Sequence, residues 1–168
     1  MFQVGEMIIY GGEGACRVEA VGRLEKAGID RGKDYYTLSP CYRVGSIYTP
    51  VDSKVFMRRI ISREEAESLI RSIPHIDAAP CNDRNLRALN EHYQSLLRTH
   101  DCADMVQVIK AAYEKRRAKQ AQGSRPGQVD EKYMKRAEEL LYGELAVALE
   151  IPRDQVHDYI VRAIEGTE

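Results

Sequence analysis

With 168 residues, 43% of them hydrophobic, the chain can bury a sizeable core as one domain or two small ones. It holds no run of 18 apolar residues and no basic-then-apolar leader, so neither a membrane span nor a signal peptide is expected, and a cytoplasmic protein is. Its formal net charge of −1 conceals an uneven distribution along the chain.

Cys16, Cys41, Cys81 and Cys102 form no Cys-x-x-Cys pair, and His75, His92, His100 and His157 are equally scattered. No metal site is expected, and a chain of this length needs no disulfide staples, so the thiols read as reduced.

From Met1 to about Ile61 the chain reads as short strands. Met7–Tyr10, 15–21, 35–38, 46–49 and 55–60 are rich in Val, Ile and Tyr and are bounded by Gly, Pro, Asp or Ser. Between the first two stands Gly11-Gly12-Glu13-Gly14, either a phosphate cradle or a turn. A cradle delivers its anion to a helix N-terminus, whereas the residues after these glycines alternate as a strand, with Cys16, Val18 and Ala20 on one face and Arg17 and Glu19 on the other. No Lys-Ser/Thr closes the loop, so the residues favour the turn. Residues 25–34 are polar and glycine-punctuated and read as an exposed hairpin loop. Five strands with no helix between them predict an antiparallel sheet curled into a small barrel.

At Ser62 the period changes. Ser62-Arg63-Glu64-Glu65 has the capping-box form and starts a helix that must stop before Pro74. After a connector bracketed by Pro74 and Pro80, Leu86, Leu89, Tyr93, Leu96 and Leu97 recur at helical spacing. Asp101 offers an N-cap to a helix carrying Met105, Val106, Ile109, Ala112 and Tyr113. Residues 123–127 are a break, after which Asp130 is the expected cap of a helix striped by Tyr133, Ala137, Leu140, Leu141, Leu145 and Ala148. Ile151-Pro152 opens a last helix with Val156, Ile160 and Ile164 inward. The expected architecture is α+β: a barrel domain at 1–61 and an all-α domain of about five helices at 62–168.

Twelve basic residues face six acids between Arg84 and Arg136, a local charge of about +6. From Ala137 to Glu168 the balance reverses to about −6. Such segregation gives one face a field that favours phosphates, and the same pattern also suits a merely solvated face. A basic patch by itself supports only sequence-independent backbone binding. Glu64-Glu65 and Glu138-Glu139 are neighbours pointing apart on helices, and no spacing demands a nucleophile, an acid–base pair or a cofactor. No enzyme and no cofactor are expected. The tyrosines at 10, 35, 36, 42 and 48 suit either an aromatic cage or, more commonly, packing with wet hydroxyls.

Specific strings now combine. Residues 2–10 (FQVGEMIIY) with Gly14 and Val18-Glu19, then Tyr35-Tyr36-Thr37-Leu38, Ile47-Tyr48-Thr49-Pro50-Val51 and Met57-Arg58, resemble the CarD/CdnL family of bacterial transcription regulators. In the helical half Glu131-Lys132-Tyr133, Ala137-Glu138 and residues 141–146 (LYGELA) resemble the same family. The resemblance implies a Tudor-like barrel that docks on the β subunit of bacterial RNA polymerase. It also implies a helical domain that touches promoter DNA near the upstream edge of the bubble and stabilises the open complex.

The implied polymerase contacts are Ile47 and Tyr48, with Arg43 and Arg23 as rim charges. An edge strand there can pair with a partner strand. The implied DNA contacts are Arg87, Lys132 and Arg136; charge alone adds Lys115, Arg116 and Arg117. Well-known members place a tryptophan wedge early in the helical domain, and this chain has none. Leu86 or the neighbouring Asn82-Asp83-Arg84 stands in its place, Leu86 being either a smaller wedge or a core residue. The expected partners are polymerase and DNA, with the chain a monomer. The alternative is a stand-alone nucleic-acid or peptide binding module.

Overall fold

The computed structural model describes residues 1–166, with five antiparallel strands followed by five α-helices, the expected α+β architecture. The strands are β1 (Met7–Tyr10), β2 (Gly14–Arg23), β3 (Asp34–Pro40), β4 (Ile47–Pro50) and β5 (Met57–Arg59), ordered β4-β3-β2-β1-β5. Among the described residues β4 and β5 do not pair with each other, so the sheet has two edges. Its core is Ile8, Cys16, Val18, Tyr36 and Leu38.

Gly11–Glu13 form a single 3-10 turn leading directly into β2, the turn the sequence favoured. Gly11 sits at φ +44°, and a Cβ there would stand 2.9 Å from the Val55 side chain, so a glycine is required twice over.

The expected inward position of Ala20 is corrected. The β2–β3 register shifts between Val18 and Ala20, leaving Glu19 and Ala20 both exposed and turning Val21 toward the core. One extra residue in a strand reverses every side chain beyond it.

The helices are α1 (Arg63–Ser72), α2 (Leu86–Leu97), α3 (Cys102–Ala121), α4 (Gln128–Leu149) and α5 (Val156–Glu165). The capping box forms as expected: Glu65 N–H donates to Ser62 Oγ at 3.1 Å and Ser62 N–H to Glu65 Oε1 at 3.2 Å. Asn85 caps α2 through Arg87 N–H, and Asp101 caps α3 through Ala103 N–H.

Asp130 is not the cap of α4. Gly127 holds that position, and Asp130 lies one turn inside the helix at 5% exposure. A short acid is favoured at a cap by local chemistry, but Asp130 is drawn inward by partners on other helices, described below.

A second core, separate from that of the sheet, gathers Tyr93, Met105, Val108, Leu141, Leu145 and Val156 from α2 to α5. Val156 and Ile160 face inward as expected, and Ile164 packs half-buried against the same core. Glu168, counted in the acidic tail, lies outside the described residues.

Sheet and helices meet along α4. Arg58 on β5 grips Glu144 through two hydrogen bonds, Nη1 to Oε2 at 2.6 Å and Nη2 to Oε1 at 2.7 Å. The Tyr42 hydroxyl donates to the Gly143 carbonyl at 2.6 Å, Phe56 stacks on His100 with ring centroids 4.4 Å apart, and Arg136 donates to the Gly12 carbonyl.

Candidate functional site

Two surfaces carry exposed chemistry, one on the sheet and one on the helices. The first is β4. It pairs with β3 on one side, from Tyr35 opposite Pro50 to Leu38 opposite Ile47, and with nothing on the other among the described residues. Alternate N–H and C=O groups of such a strand point away from the sheet and can accept another strand. Period-two alternation sends Thr49 inward, where it is buried and accepts a hydrogen bond from the Tyr10 hydroxyl at 3.2 Å. Tyr48 therefore points outward, 36% exposed.

Lys26, from the exposed β2–β3 loop, covers Tyr48. Its ammonium donates to the phenol oxygen at 2.7 Å and stands 4.3 Å from the ring centroid. That hydrogen bond holds the Tyr48 hydroxyl below the usual phenol range. Lys26 is a contributor that sequence reasoning missed, because only the turn of the loop brings it to Tyr48.

Of the other expected contacts on this side, Ile47 packs half-buried against the sheet core. Arg43 is exposed but paired through Nε with Glu13 of the β1–β2 turn, and Arg23 is exposed at the end of β2, opposite Asp34. Just before β4, Val44 is 98% exposed, an apolar side chain beside an unpaired edge.

The tyrosines form no common cage. Tyr35 and Tyr36 are buried, and their hydroxyls accept the N–H groups of Asp30 and Phe2. Tyr10, Tyr42 and Tyr48 turn to three different partners.

The second surface lies where α2, α3 and α4 converge. An open cleft of about 570 Å³ is lined by Arg84, Leu86, Lys115, Lys119 and the first turn of α4. The structure thus brings together Arg84, Leu86 and Lys115, the first and last of them 31 positions apart in the chain. Leu86 is 62% exposed at the first position of α2, which removes the core reading of it. The apolar stripe of α2 starts one turn later, with Leu89 and Tyr93 buried.

Charge alone adds Lys115, Arg116 and Arg117 to the expected DNA contacts, and the structure gives the three different surroundings. Lys115 turns inward, its ammonium 2.8 Å from Asp130 Oδ1 and 3.1 Å from the Cys81 carbonyl. Asp130 Oδ1 also accepts the Tyr93 hydroxyl at 2.6 Å, and burial, with this carboxylate beside it, pushes that hydroxyl far above the usual phenol range. Arg116 forks onto Glu131, with Nε to Oε1 at 2.7 Å, which lowers the Glu131 carboxyl below the ordinary carboxylate range.

Arg117 is exposed and forms no ion pair among the described residues. Lys132 is exposed, its ammonium 5.2 Å from the Tyr133 ring. Arg87 is exposed and 3.5 Å from Glu91 one turn on. Arg136 reaches toward the β1–β2 turn and lies 3.7 Å from Glu139. In the acidic tail, Glu144 is 0% exposed and neutralised by Arg58, so it adds nothing to the outer field.

No described helix is long and apolar enough to cross a membrane, and no metal-binding cluster of His, Cys, Asp or Glu occurs among the described residues. The family model of the CarD-like/TRCF RID domain matches residues 2–61, which hold the five strands. That domain is one that interacts with RNA polymerase. No curated protein matches the chain.

Proposed function

We propose that the chain is a CarD-like regulator of transcription initiation, in which residues 1–61 dock on the β subunit of bacterial RNA polymerase and residues 62–168 contact promoter DNA. The observation that supports it best is the unpaired β4 edge, with Tyr48 outward, inside the matched RID domain. Main-chain pairing along β4 supplies affinity, and Tyr48, Arg43 and Arg23 select the partner. Ile47 sets the pitch of the strand from its half-buried side. Tyrosines at the centre of such contacts commonly dominate the binding energy.

On the helical side, Arg84, Arg87, Arg117 and Lys132 contact phosphates near the upstream edge of the bubble, and Leu86 offers the apolar wedge at the minor groove. Lys115, Arg116 and Arg136 shape this face through their internal partners. Together the two contacts hold the open complex. The regulator carries out no reaction and acts in the cytoplasm as a monomer.

The test is binding of the full chain to the isolated β-subunit lobe, with Tyr48→Ala beside it. Affinity of about 1 μM or tighter that the variant loses tenfold or more supports the docking reading. No binding to the lobe, with DNA affinity intact, overturns it in favour of a stand-alone nucleic-acid module.

A further inference from the structure

The Arg58–Glu144 pair sits where a stable interface has no need of charge. Glu144 is 0% exposed and every acceptor direction of its carboxylate is used: Oε2 takes Arg58 Nη1 and the Ile61 N–H at 3.0 Å, and Oε1 takes Arg58 Nη2 and the Cys102 thiol at 3.2 Å. Arg58 Nη2 also donates to the His100 carbonyl at 2.7 Å. His100 presents that carbonyl from a left-handed backbone, φ +56°, at the turn between α2 and α3. Two side chains thus tie together β5, the β5–α1 connector, the α2–α3 turn and α4.

Burying such a pair costs desolvation of both ions, and well-packed apolar residues of similar volume commonly stabilise a core equally well. What apolar residues do not supply is direction. A forked guanidinium–carboxylate contact fixes distance and angle on both partners at once.

We propose that Arg58 and Glu144 are positioning residues that set the orientation of the RID sheet relative to the helical half. In doing so they set the angle between the β4 edge and the cleft of Arg84 and Leu86. This rests on the docking reading above: two contacts made at once on a polymerase–promoter complex require their spacing to be held. Neither residue is among the polymerase or DNA contacts proposed above. β5 and β4 are opposite edges of the sheet, and Glu144 lies within the interface.

The test is the full-length double variant Arg58→Met/Glu144→Leu, which keeps volume and burial and removes direction. Residual dipolar couplings are measured from the sheet and from the helices. In the native chain both sets are expected to fit one alignment tensor; in the variant they are expected to need two, with the thermal midpoint within a few degrees of native.

Affinities for the β lobe alone and for DNA alone are expected to stay within twofold, while the lifetime of the open promoter complex falls at least fivefold. A variant that unfolds overturns the proposal, because the pair then holds the fold rather than its geometry. So does a variant that folds with a single tensor. If the native chain neither binds the lobe nor prolongs the open complex, the docking reading fails, and the tensors still decide whether the pair sets orientation.

Discussion

Gly143 of α4 lies against the ring of Tyr42: a Cβ built on Gly143 would stand 2.8 Å from Tyr42 Cε2, and the Tyr42 hydroxyl donates to the Gly143 carbonyl. The Arg153 guanidinium also lies over this ring, 4.3 Å from the Tyr42 ring centroid. A glycine inside a 22-residue helix costs helix stability, so this contact must return more than that cost. The neighbours Gly143 and Glu144 thereby anchor the sheet to α4 through Tyr42 and Arg58 respectively.

Alanine at position 143 therefore has a sign that depends on its partner. With Tyr42 present, Gly143→Ala is expected to destabilise the chain by about 1–2 kcal/mol, overpacking outweighing helix propensity. With Tyr42→Ala beside it, the same substitution is expected to stabilise by about 0.5–1 kcal/mol. Urea unfolding of the four proteins of this cycle measures both, and equal effects in the two backgrounds would show that the contact carries no coupling.

The basic residues of the helical face should separate into two groups. Arg117→Ala and Lys132→Ala are expected to leave stability within about 0.5 kcal/mol and to lower the slope of log affinity for DNA against log salt by about 1 each. Lys115→Ala leaves Asp130 buried beside Tyr93 without its cation and is expected to cost about 3 kcal/mol of stability. Denaturant unfolding and salt titrations of DNA binding on the same proteins check the division.

The Arg116–Glu131 fork makes a pH-dependent contribution. The Glu131 carboxyl is held below its ordinary range in the fold, chiefly by the Arg116 hydrogen bond, so the folded state binds this proton less readily than the unfolded state. Its stabilisation is complete above the ordinary carboxylate pKa of about 4.3 and declines as pH falls through the lowered value. The stability difference between the native chain and Glu131→Gln is expected to be constant from pH 8 to about 5 and to shrink below that. A difference that grows on acidification would reverse the sign assigned to the fork.

At the sheet edge, Lys26→Ala tests whether the cation over Tyr48 belongs to the docking surface. The thermal midpoint is expected to stay within a degree or two, because both side chains lie outside the core. Lobe binding is expected to weaken threefold to tenfold, less than for Tyr48→Ala. Unchanged affinity would confine the docking role to the strand itself.

Much of the fold was legible because its signals are local. The five strands, the Ser62 capping box, the Asp101 cap and the stripe of α5 each depend on residues a few positions apart, and each forms where the pattern put it. Ala20 was misplaced because a bulge answers to the partner strand, which no alternation within β2 reveals. Asp130 was misplaced for a related reason. A cap is a local preference, and the hydroxyl of Tyr93 and the ammonium of Lys115 outcompete it from two other helices.

By itself the sequence determined which segments are strands and helices, where charge accumulates along the chain, and that a short strand stands near residues 46–49. Only the tertiary structure decided which of those charges are free. Arg58 and Glu144 are separated by 86 residues, and Arg116 and Glu131 by 15. A charge's partner is chosen by packing in three dimensions, so a tally along the chain counts ions that the fold has already joined.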